Sequence, residues 1–61
     1  MNKQLLIRFF TIEQIAELME VSTRTVRRWI EKKLLVAHYI DRLVGISEAD
    51  FQAFLVTHRD L

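Results

Sequence analysis

The chain has 61 residues, of which 51% are apolar and 28% charged, and its formal net charge is +1. That length suits one small domain burying only about 60% of its unfolded surface, and the apolar share argues against a disordered tail. With no cysteine, disulfides, thiolate metal sites and thiol catalysis are excluded, and a core without staples fits a reducing cytoplasm.

Residues 4–10 come first and are rich in Leu, Ile and Phe, which predicts a strand. Thr11 opens a helix, and Gln14 three residues later completes a capping-box pattern. Ile12, Ile15, Ala16 and Met19 recur at helical spacing and mark the buried stripe. Glu13, Glu17 and Glu20 fall on the other side, and the helix is expected to stop near Met19 or Glu20. A break at Glu20, Val21 and Ser22 follows, with Ser22 or Thr23 capping a second helix. Val26, Trp29 and Ile30 form its stripe. Lys32 and Lys33 suit its negative C-terminal end.

From residue 35 to 46 the period becomes strand-like. Val36 to Ile40 and Leu43 to Ile46 read as a hairpin around Asp41 and Arg42. Ser47 then caps a last helix, with Asp50 at its third position and Phe51, Phe54 and Leu55 as its stripe. The tail from Thr57 onwards is expected to fray. The order strand, helix, helix, hairpin, helix describes a mainly α winged helix-turn-helix, one domain over residues 1–61.

Charge is segregated along this order. Residues 22–33 hold Arg24, Arg27, Arg28, Lys32 and Lys33 against Glu31 alone, whereas the first helix carries three acids. On a helical wheel Arg24 and Arg28 lie nearly opposite Val26, so both should be exposed. A basic helix face is usually just a solvated face. Joined to a helix-turn-helix and a hairpin, it reads instead as the positive element that enters the major groove of double-stranded DNA. Arg24 and Arg28 are the candidate base readers. Ser22, Thr23, Thr25, Arg27 and Lys32 are the candidate phosphate contacts. On the wing, Arg42 and Tyr39 are placed near the sugar-phosphate backbone.

These residues also carry a resemblance. Phe10 and Thr11 through Met19, Val21 and Ser22, Thr25 and Val26 with Arg27, Arg28, Trp29 and Ile30, and Ile46 through Phe51 with Phe54 and Leu55 resemble the MerR-like excisionase family. The likeness covers about residues 9–56. It implies a bacterial, phage or plasmid DNA-binding protein, an excision factor, transcriptional regulator or packaging subunit, acting on the nucleoid. It further implies a recognition helix over residues 22–33 and a wing over 36–46. The chain departs from the family at Glu20, where the turn usually has Gly. It departs at Lys33, Leu34, Leu35 and Val36, where Gly-Lys-Leu-Pro is usual. It departs again at Asp41 and Arg42, where the wing tip is usually Gly-Gly flanked by arginines.

Leu34, Leu35, Val36, Tyr39, Ile40, Leu43 and Val44 make the wing more apolar than a two-stranded hairpin can bury. The N-terminal strand and the last helix are expected to cover these residues, and any remainder would be a partner surface. A protein-interaction adaptor using that wing is the second reading. Self-association on DNA is a third element of the expectation, because one copy has a small footprint.

Other sites have less support. His38 and His58 are too far apart and too alone to suggest a metal. Ser47, Asp50 and His58 invite a catalytic triad, but a helix cap already explains the first two. Trp29 belongs with the core stripe. No Gly-rich phosphate loop is present, so no cofactor is expected. No apolar run reaches the ~18 residues of a membrane helix, and no cleavage pattern suggests a signal peptide.

Overall fold

Two reciprocal hydrogen bonds start the first helix. In the computed structural model, which describes residues 8–58, the Thr11 hydroxyl accepts from the Gln14 amide at 3.0 Å. Gln14 Oε1 accepts from the Thr11 amide at 2.9 Å. The helix, α1, spans Ile12–Met19 and buries Ile12, Ile15 and Ala16. It ends where Glu20 takes a left-handed conformation, φ 59. The Glu20 amide then reaches the Glu17 carbonyl at 3.2 Å and the Val21 amide reaches Ala16 at 2.9 Å. This is the bond pattern that usually has Gly at its left-handed position.

The second helix, α2, spans Thr23–Glu31 with Ser22 as its N-cap. It starts one residue later and ends two residues earlier than the predicted 22–33. Lys33 turns left-handed at φ 66, and the same bond pattern recurs. The Lys33 amide bonds Ile30 at 3.0 Å and the Leu34 amide bonds Trp29 at 2.9 Å. The reversal carries Leu35 into the core, where it is almost fully buried. Lys32 and Lys33 therefore follow the helix rather than extend it.

Three strands follow the expected order in the chain with corrected bounds. The first, β1, is Phe9–Phe10. Arg8 is not part of it, and residues 4–7 of the predicted strand lie outside the described residues. The hairpin comprises β2, His38–Ile40, and β3, Leu43–Ser47. Val36 and Ala37 precede the wing strands instead of belonging to them, because the chain is still leaving the turn that buries Leu35. The turn at Asp41 and Arg42 forms as predicted, with Asp41 at φ 54, a conformation Asp tolerates better than most residues. The sheet order is β1-β3-β2, and both pairings are antiparallel.

The last helix, α3, spans Glu48–Thr57. The Ser47 hydroxyl accepts from the Asp50 amide at 3.0 Å. Phe51 and Phe54 complete a core with Ile12, Ile15, Ala16, Val26, Leu35 and Ile46. Trp29 is half-buried against Phe54, ring centroids 4.9 Å apart. The expectation that strand and helix cover the wing is corrected. Val36, Tyr39, Ile40 and Leu43 stay exposed: β2 is an edge strand of the sheet, and all three of its residues are exposed.

Candidate nucleic-acid interface

Helix α2 presents its cations because its apolar residues occupy one side. Val26 is fully buried, and Trp29 and Ile30 pack beside it. Arg24, Arg27, Arg28 and Lys32 are all exposed. The first turn of α2 contains no acid, so nothing neutralises the positive N-terminal end of its dipole.

The hydroxyls at that end are tied to one another. Ser22 Oγ accepts from the Thr25 amide at 3.2 Å and shares a 3.1 Å hydrogen bond with Thr25 Oγ1. Thr23 Oγ1 accepts from Arg27 Nη1 at 3.4 Å. Ser22 is exposed, while Thr23 and Thr25 are half-buried. Ser22 is thus the open hydroxyl of the three. The long Arg27 bond restrains that guanidinium along the helix while leaving its other donors free.

The wing tip comes to the same side. Arg42 and Arg27 line one groove of about 260 Å³ together with Thr11, Glu13 and Leu43. The cation predicted on the wing and one predicted on α2 therefore flank a shared groove. Tyr39 does not join them. It sits at the C-terminal end of α2, lining a groove of about 300 Å³ with Ile30, Glu31 and Lys33. Glu13 was not foreseen as part of this surface, since its helix-face position says nothing about the distant hairpin.

A second unforeseen contact supports the wing from behind. His38 Nε2 donates to Asp50 Oδ2 at 2.9 Å. Ser47 Oγ donates to the same oxygen at 2.8 Å. These bonds, His38 first, hold the Asp50 carboxyl below its ordinary value of 3.8. The imagined triad is not assembled: Asp50 engages His38, whereas His58 packs on Phe54 with ring centroids 5.2 Å apart. Among the described residues, no group of three or more metal-ligating side chains comes together, and no helix is long and apolar enough to cross a membrane.

A family model described as a helix-turn-helix domain matches residues 9–59. No curated protein and no solved structure matches the chain.

Proposed function

The chain belongs to the helix-turn-helix domain family of DNA-binding domains, and from that premise we propose that α2 reads a specific site in the major groove of double-stranded DNA. Arg24 and Arg28 contact base edges. Ser22, Thr23, Thr25, Arg27 and Lys32 contact phosphates, joined by Arg42 from the wing. Tyr39 serves the backbone further along, at the C-terminal end of α2. The output is occupied or bent DNA in an excisionase-like or regulatory role. The carrying observation is the exposed pair Arg24 and Arg28 opposite the buried Val26, flanked by exposed Arg27.

A fluorescence-anisotropy titration on random-sequence duplex tests this reading. About five cationic contacts give a log–log salt slope near −4. An Arg24→Ala plus Arg28→Ala variant should lose affinity and base preference. A folded variant that binds at full strength rejects α2 as the DNA face. The exposed wing residues support a second reading, an adaptor that binds protein. Absence of DNA binding even at about 50 mM salt favours it.

A further inference from the structure

Strand alternation turns one face of the wing away from the core. Val44 and Ile46 pack towards the core, so Leu43 and Gly45 point outward. The pairs Ile40↔Leu43 and His38↔Gly45 put Ile40 and His38 on that outer face. Phe9 completes it. An added Cβ at Gly45 would lie 3.1 Å from Phe9 Cδ1, so the ring rests on the glycine. It also meets His38 edge-on, centroids 5.9 Å apart. Phe9 is 48% exposed, Ile40 62% and Leu43 71%. They border a groove of about 270 Å³ whose lining contains no Lys, Arg, Asp or Glu.

We propose that this face packs against the same face of a second copy of the chain when two copies are bound side by side on DNA. The inference rests on the DNA-binding reading. Two features select a second copy. First, the face lacks formal charge, so it meets itself across a two-fold axis without like-charge repulsion. An acidic or basic partner would find nothing complementary there. Second, three side chains expose on the order of 300 Å², well short of the about 800 Å² per partner of a stable complex. Such a contact is weak between free copies. It becomes effective when neighbouring DNA sites raise the local concentration. An isologous contact also requires the two sites to be inverted relative to each other.

The test compares duplexes of about 15 and 30 base pairs, which accommodate one and two copies. The variant carries Ile40→Thr, a polar change that keeps net charge and β-branching. For the wild type, the second copy should bind the longer duplex about 10-fold more tightly than the first. The variant should lose that gain and keep its affinity for the shorter duplex. Independent binding by the wild type, or unchanged cooperativity in the variant, overturns the proposal. So does a variant that melts far below the wild type, because the face would then be packed within its own chain. If neither duplex is bound, the DNA reading fails and sedimentation equilibrium of the protein alone decides the contact. Self-association that the variant loses supports the face, and a monomer at every concentration rejects it.

Discussion

His38 Nε2 lies 2.9 Å from Asp50 Oδ2 and joins the edge strand of the wing to the first turn of α3. The two residues are 12 apart in sequence, and both side chains remain partly exposed. One carboxylate oxygen thus serves two donors, His38 and the Ser47 hydroxyl. The Asp50 amide also returns a bond to Ser47. Helix cap and wing attachment share a single ionised group.

That sharing makes part of the stability depend on acid. Hydrogen bonds from His38 and Ser47 lower the folded-state pKa of Asp50 below 3.8. The ionised form therefore favours the folded chain, and its contribution is fully present above the unfolded value. It is lost as pH falls through the lower folded-state value. Comparing thermal melts of the wild type and Asp50→Asn from about pH 2 to 7 isolates the effect. The gap between them should be constant above about pH 5 and close towards the acid end. A gap that ignores pH would assign the difference to shape rather than charge.

Glu20 sits at φ 59 where a side chain is strained. Glu20→Gly should relieve about 1 kcal/mol, raising the melting temperature by about 4–8 °C in a domain this small. Glu20→Ala provides the control. It removes the carboxylate from the negative end of α1 but keeps the Cβ, so it should recover little of the gain. Equal stabilisation by both variants would identify the charge, not the backbone, as the source.

The contrast between Glu20 and Ser22 shows what the sequence makes legible. Caps and stripes are local. Thr11 with Gln14, Ser22 ahead of Val26, and Ser47 ahead of Phe51 each announce a helix within four residues. The family departures at Glu20, Lys33 and Asp41 also mark positions that prove left-handed. The hairpin bounds were less legible because the turn at Lys33 depends on where Leu35 finds burial. Pairings such as His38 with Asp50, or Arg42 beside Arg27, depend on how the hairpin docks. No local signal carries that information.

Leu35 tests the reassignment of this stretch from wing to core. It is 1% exposed, and Leu35→Ala should cost about 2–5 kcal/mol. A core of this size supplies little more than about 3–5 kcal/mol in total, so the variant should be largely unfolded at room temperature. Its neighbour Val36 is exposed, and Val36→Ala should change stability by no more than about 0.5 kcal/mol. Urea denaturation followed by circular dichroism separates them. Equal losses would mean that the chain does not turn inward after Lys33.

Glu13 shares a groove with Arg27 and Arg42, so the proposed DNA face contains one anion where phosphates would approach. Arg42→Ala should weaken binding by a similar factor on every sequence and reduce the salt slope by about 1, as expected for a phosphate contact. Arg28→Ala should also relax base preference, because it removes a reader rather than an anchor. Glu13→Gln should act in the opposite direction. It removes a carboxylate that repels the approaching phosphates. The variant should bind more tightly than the wild type at about 50 mM salt, with the advantage fading by about 200 mM as screening shortens its reach. Unchanged affinity for Glu13→Gln, together with a sequence-dependent loss for Arg42→Ala, would place the DNA backbone away from this groove and leave contact to the exposed arginines of α2 alone.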